Sequence, residues 1–140
     1  MNREEIIELI SRNPVFHLAT VENGEPRVRA MLNFRADREG ILFHTGAMKD
    51  VHRQMIANRA VELCFHDWQS GVQVRVQGKA NLIESQALKE EIVNSPGREF
   101  LKPWIAAMGY DILSVFRIGE CRAQAWTMET NFAAREWVAL

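Results

Sequence analysis

The sequence predicts a mainly β domain of the α+β class, an antiparallel β-barrel of about seven strands with peripheral helices. In the first third of the chain, β-favouring runs are separated by turns of hairpin length, which join antiparallel neighbours and are too short for βαβ crossovers. Residues Val72 to Ala80 alternate, with Val72, Val74 and Val76 on one face and Gln73, Arg75 and Gln77 on the other. Helical periodicity occurs only in short stretches, one of them ahead of the first strand, so the helices decorate a closed sheet rather than alternate with parallel strands. At 140 residues, 47% apolar and 25% charged, the chain suits one compact domain spanning residues 1–140.

The elements follow in order. Asn2 and Glu5 have capping-box spacing ahead of the apolar stripe Ile6, Ile7, Leu9 and Ile10, and Asn13-Pro14 stops this first helix. Three strands come next, at Val15 to Val21, Arg27 to Arg35 and Ile41 to His44, separated by Glu22 to Pro26 and Ala36 to Gly40, which are rich in turn-forming residues. After Thr45-Gly46 the period lengthens, and Met48, Val51, His52, Met55, Ile56 and Arg59 mark a helix. Ala60 to His66 and Val72 to Ala80 are the next two strands. Ser85 caps a helix running to about Asn94, and Glu99 to Met108 form another, with Gly109 beyond its end. Strands Ile112 to Ile118 and Cys121 to Met128, joined at Gly119-Glu120, complete the barrel. No repeat or linker interrupts the chain.

A formal net charge of -1 provides no general field for nucleic acid or acidic membrane, so any anion site has to be local. No apolar run approaches the roughly 20 residues that cross a bilayer, and residues 1–8 lack the pattern of a secretory leader; the expected location is the cytoplasm. Cys64 and Cys121 have no redox or zinc spacing and read as small buried hydrophobes. His17, His44, His52 and His66 describe no metal site, and no Ser-His-Asp, HExxH or paired-carboxylate arrangement is present. Of the histidines, His44 alone stands beside a candidate site.

That site is His44-Thr45-Gly46-Ala47-Met48-Lys49-Asp50, where a strand ends in a threonine, turns through glycine and opens a helix with a lysine at its start. Free amides at a helix N-terminus, the Thr45 hydroxyl and the Lys49 ammonium together suit a phosphate. An ordinary strand-to-helix turn with a solvated lysine gives the same pattern. Arg27 and Arg29 share one strand face and Arg75 lies on another strand, so distant segments offer further cations, although surface pairing with Glu25, Asp37 or Glu62 accounts for each singly.

In their order, Gly24 to Arg29, Ile41 to Thr45, Lys49 to Met55 with Asn58, Val61 to Cys64 and Gln73 to Ala80 resemble the FMN-binding split-barrel superfamily that includes pyridoxamine 5'-phosphate oxidase. The likeness is strongest to its short nitroimidazole-resistance-like members and covers most of the chain. It implies an antiparallel split β-barrel that works as a homodimer with FMN between subunits. Arg29, Ala30, Met31 and Leu32 would run beside the flavin, His44 and Thr45 would border the ribityl phosphate, Lys49 would pair with the phosphate, and Gln54 and Arg75 would add polar contacts. The polar strand face would then wall an intersubunit cleft.

The chain departs from the oxidases in two places. Val51 stands where longer members carry a phosphate-binding lysine, and the arginine-rich segment that oxidases use for their substrate has no counterpart, so vitamin B6 oxidation is not expected. The resemblance implies an FMN-dependent oxidoreductase acting on a small acceptor such as a nitroaromatic, a quinone or another flavin. Two alternatives stay open: a non-enzymatic flavin-binding or stress-related module, and a haem or deazaflavin binder on the same barrel. Trp126, on a late strand, reads as core or interface rather than a flavin contact.

Overall fold

A computed structural model describes residues 1–140. The elements run α1 (Arg3–Arg12), β1 (Val15–Glu22), β2 (Glu25–Asp37), β3 (Gly40–Gly46), α2 (Asp50–Ala57), β4 (Ala60–Asp67), β5 (Val72–Leu82), α3 (Gln86–Val93), α4 (Lys102–Met108), β6 (Leu113–Trp126) and β7 (Val138–Ala139). Short 3-10 turns at Glu99–Leu101 and Tyr110–Ile112 flank α4. All strand pairings are antiparallel, in the order β3-β2-β1-β4-β5-β6-β7, and β3 also pairs with β6. That last pairing closes six strands into a barrel and leaves β7 as an added strip on β6.

Local chemistry sets the element ends as the sequence indicates. The Asn2 side chain accepts from the Glu5 amide and the Glu5 carboxylate accepts from the Asn2 amide, a complete capping box on α1. Ser85 accepts from the Leu88 amide and starts α3. One expectation fails. Gly119-Glu120 does not join two strands; β6 runs unbroken through it, paired with β5 on both sides and with β3 along its first half. The irregularity is a bulge, where the β5–β6 register shifts between Gln77 and Lys79 and Glu120 takes a φ of 52°. A Cβ on Gly78 would lie 2.8 Å from the Gly119 carbonyl oxygen, so glycine lets the strands approach there.

Inside the barrel the rings of Phe65, Phe16, Phe43 and Phe116 form a chain at centroid separations of 5.1 to 6.0 Å, with Phe65 on Phe16 and Phe43 on Phe116 stacked and Phe16 meeting Phe43 edge to face. Ile6, Leu9 and Ile10 of α1 and Val51 and Met55 of α2 complete this core. Each such fully buried side chain stabilises the fold by roughly 1.5–3 kcal/mol relative to exposure. A smaller cluster of Leu42, Ile92, Val93, Leu113 and Val115 lies on the other side of β3, where Leu101 and Ile105 pack against it. The β3 strand is therefore covered on both faces, and its C-terminal end is held between α2 and α4.

The inner and outer faces of β2 reverse what its composition suggests. Arg29, Met31 and Asn33 turn inward, where the Asn33 amide donates to the Ile10 carbonyl at 2.9 Å. Val28, Ala30 and Leu32 turn outward and are exposed. They lie across from Ala19, His17 and Val15 of β1, so the β1–β2 hairpin carries an apolar outer face.

Candidate functional site

A cleft of about 450 Å³ opens where the end of β3 meets β2, the start of α2, and α4. Its walls are Ala30, Met31 and Leu32 of β2, His44, Thr45 and Gly46 of β3, Met48 and Lys49 of the following turn, and an apolar wall that includes Phe100, Trp104 and Met108. Eleven of its fifteen lining residues are hydrophobic, and its polar groups gather at the β3–α2 end. The shape and chemistry suit an amphiphile with a planar apolar body and an anionic tail.

The polar end is built by the strand-to-helix turn. Thr45 pairs with Ser114 and Gly46 with Leu113 in β6, and the Ala47 amide donates to the Ile112 carbonyl at 2.8 Å, which fixes the turn to the barrel. At Gly46 a Cβ would sit 3.1 Å from Met48 Sδ and 3.5 Å from Lys49 Cγ, side chains that fold back over the turn. Lys49 is the N-cap of α2 and supplies no capping acceptor, so the first amides of the helix have no side-chain partner. Its ammonium makes no ion pair within the chain. Asp50 opposes an anion there, but its carboxylate is held by Arg53 at 3.0 Å.

His44 is buried, and Arg98 donates through Nε to His44 Nε2 at 2.9 Å. Burial, followed by the charges of Arg98 and Lys49, pushes the His44 pKa down from 6.5 to about 4, so the ring is neutral at physiological pH. Arg98 is a site residue that sequence reasoning missed. It lies in the loop between α3 and α4, 54 residues from His44, and nothing in its immediate neighbours marks it.

Six of the nine residues indicated by the sequence therefore line one cleft: Ala30, Met31, Leu32, His44, Thr45 and Lys49. The other three stand apart. Arg29 points inward and donates to Thr20 Oγ1 at 2.8 Å and to Gln54 Oε1 at 2.5 Å. Gln54 is buried, and its amide nitrogen donates to Glu22 at 2.9 Å, so it braces α2 against β1 and β2. Arg75 lies three strands from β2 across the sheet and is paired with Glu62. Trp126 closes a local loop by donating to Asn131 Oδ1 at 2.9 Å. No group of three or more His, Cys, Asp or Glu side chains is arranged to hold a metal ion.

Residues 3–128 match the family model described as pyridoxamine 5'-phosphate oxidase. A pyridoxine/pyridoxamine 5'-phosphate oxidase of Rhizobium meliloti is 29% identical over 109 residues, covering 76% of this chain and 52% of that protein. The chain thus spans about half the length of that curated relative. Among solved structures, a NimC/NimA family protein of Clostridium acetobutylicum superposes with a TM-score of 0.75 at 20% identity, covering 98% of this chain and 92% of the other. A pyridoxamine 5'-phosphate oxidase-related, FMN-binding protein of Nostoc punctiforme superposes with a TM-score of 0.64 at 15% identity, covering 99% and 95%. These superpositions concern the fold. No helix of the chain is long and apolar enough to cross a membrane.

Proposed function

Because the chain belongs to the pyridoxamine 5'-phosphate oxidase family, we propose that it binds FMN in the cleft between β2, β3, α2 and α4, works as a homodimer, and serves a redox reaction on a small acceptor. One observation carries the reading: residues from two separate segments, Ala30 to Leu32 of β2 and His44, Thr45 and Lys49 at the end of β3 and the turn after it, converge on a single cleft with apolar walls and a cationic, hydroxyl-bearing end. These residues fit the cofactor. Met31, Leu32 and the aromatic side chains of Phe100 and Trp104 offer apolar contact to a flat ring, and Thr45, the first amides of α2 and Lys49 offer donors to a phosphate.

FMN, when bound, supplies two-electron redox chemistry, so the protein needs no nucleophile or paired carboxylates of its own. The chain's residues bind and orient. Lys49 neutralises the phosphate, the Arg29–Gln54 brace keeps β2 and α2 in register on either side of it, and the α4 wall limits the access of water to the apolar part of the cleft.

The homodimer is supported by the outer face of the β1–β2 hairpin. Val15, Val21, Val28 and Leu32 are all exposed there, Val28 to 70%, and the strip continues into the cleft through Ala30 and Leu32. A contiguous apolar strip on a β-sheet face is a surface that a second copy of the chain would cover. In such a pair Arg75 would approach the flavin from the second subunit, since in its own chain it is exposed on β5, opposite Gln124 and at the far end of β6 from the cleft residue Leu113.

The absorption spectrum of the purified protein tests this reading. A flavin spectrum, with FMN released on heating, is expected; colourless protein that acquires no flavin spectrum on addition of FMN would overturn it. Oxidation of NADH or NADPH with a nitroaromatic or quinone acceptor tests the enzymatic half, and bound FMN without turnover would leave a flavin-binding module.

A further inference from the structure

We propose that Arg98 is a positioning residue that fixes His44 as a neutral hydrogen-bond donor to the cleft, through Nδ1–H. The identity of the acceptor rests on the flavin reading; the fixing of the ring does not.

A guanidinium has only donors. Since Arg98 Nε donates to His44 Nε2 at 2.9 Å, that nitrogen is the bare one, and the ring's single proton is on Nδ1. Arg98 is itself held in place, because its Nη2 donates to the Asn33 main-chain carbonyl at 2.9 Å and its guanidinium lies 5.6 Å from the centroid of Phe34. The bond to His44 is therefore aimed by β2 from one side and by the α3–α4 loop from the other. Protonating Nε2 would set two donors against each other in a buried place. The charged groups bearing on the ring are Arg98 and Lys49, both cationic, and together with burial they hold it neutral down to about pH 4.

His44 Nδ1 makes no hydrogen bond within the chain, and His44 lines the cleft beside Thr45. With Nε2 already accepting from Arg98, a ring locked in this tautomer presents one donor and no acceptor to the cleft. It recognises an acceptor oxygen, such as a hydroxyl or phosphate oxygen of the ribityl phosphate, without adding charge to a site where Lys49 already supplies it. Lys49 would set the affinity for the anion, and His44 would select the orientation of the chain that carries it.

The test uses apoprotein labelled with 15N-histidine and long-range 1H–15N correlation spectra between pH 5 and 8. Wild-type His44 is expected to show one neutral tautomer, protonated at Nδ1, across the range. In Arg98→Ala the ring exchanges between tautomers and its pKa rises by about one pH unit, whereas Arg98→Lys, which keeps a cationic donor, retains the wild-type tautomer in part. FMN affinity falls about fivefold in Arg98→Ala, as for the loss of one ordinary hydrogen bond. The ratio of variant to wild-type Kd also varies with pH; the second ionisation of the phosphate near pH 6 is common to both proteins and cancels. A wild-type ring protonated at Nε2, one that titrates near pH 6.5, or an unchanged tautomer in both variants would overturn the proposal. The wild-type spectrum decides the first two even where Arg98→Ala does not fold. The expected tautomer in a protein that fails to bind FMN would support the role of Arg98 and remove the flavin reading alone.

Discussion

Arg29 donates to Gln54 Oε1 at 2.5 Å, and the hydroxyl of Thr20 donates to the same oxygen at 2.6 Å. One buried amide thus ties β1, β2 and α2 together, and β2 and the turn before α2 carry the cleft residues Ala30 and Lys49. Gln54→Leu keeps the volume but leaves the Arg29 guanidinium and Glu22 without this partner. The expected loss is about 2–3 kcal/mol of stability, the range for hydrogen bonds to charged groups, read from urea denaturation. A loss below about 0.5 kcal/mol, the size of an ordinary surface substitution, would show that the brace does not support the fold.

Val28 is the most exposed residue of the apolar hairpin face. Val28→Glu adds a charge to the centre of that face without touching the barrel core, so its own fold should persist. Sedimentation velocity is expected to show a dimer for the wild-type chain and a monomer for the variant at the same concentration, with weakened FMN binding. A variant that remains dimeric would move the interface elsewhere.

The neutral state of His44 predicts how stability varies with pH. In the unfolded chain the imidazole titrates near 6.5, while in the folded protein it resists protonation until about 4. The unfolded state therefore takes up the proton first as pH falls. The contribution is fully present above pH 6.5 and is lost between 6.5 and about 4, by up to about 3 kcal/mol. Glu22, Asp67 and Glu99 are held below the ordinary carboxylate range by their hydrogen-bond partners, so their contributions go at lower pH. His44→Asn should flatten the slope between pH 4.5 and 6.5; an identical slope would assign it to another group.

Cys121 is buried, its thiol donates to the Ile118 carbonyl at 3.2 Å, and burial pushes its pKa up to about 11. Burial also raises the pKa of Cys64. Both thiols should react with a disulfide reagent at pH 8 far more slowly in the native protein than in the denatured one. Rapid labelling of Cys121 in the native protein would contradict the packing of the β5–β6 bulge around it.

Most of the fold is legible in short-range signals. Asn2 with Glu5, Ser85, and the alternation at Val74 and Val76 each report a short-range preference that the structure keeps, because the tertiary pairings agree with it. Gly119-Glu120 was misleading because a bulge and a hairpin turn use the same residue types and the same positive φ; only the long pairing with β5 distinguishes them. At β2, alternation separates two faces but does not say which one is inside. Arg29 turns inward because Gln54 and Thr20 satisfy its donors there, a fact held in residues 9 and 25 positions away. The convergence of Thr45 and Lys49 was readable because they are neighbours in sequence, whereas Arg98 reaches His44 only through folding.

The central claim is a phosphate cradle at Thr45 and Lys49, and it is tested most directly by titrating apoprotein with FMN and with riboflavin, which lacks the phosphate, while following flavin fluorescence. FMN is expected to bind more tightly than riboflavin, and Lys49→Ala should weaken FMN by about 1.5–3 kcal/mol, or roughly 10- to 150-fold, with little change for riboflavin. Equal affinity for the two flavins, or a Lys49→Ala Kd for FMN unchanged from wild type, would contradict it.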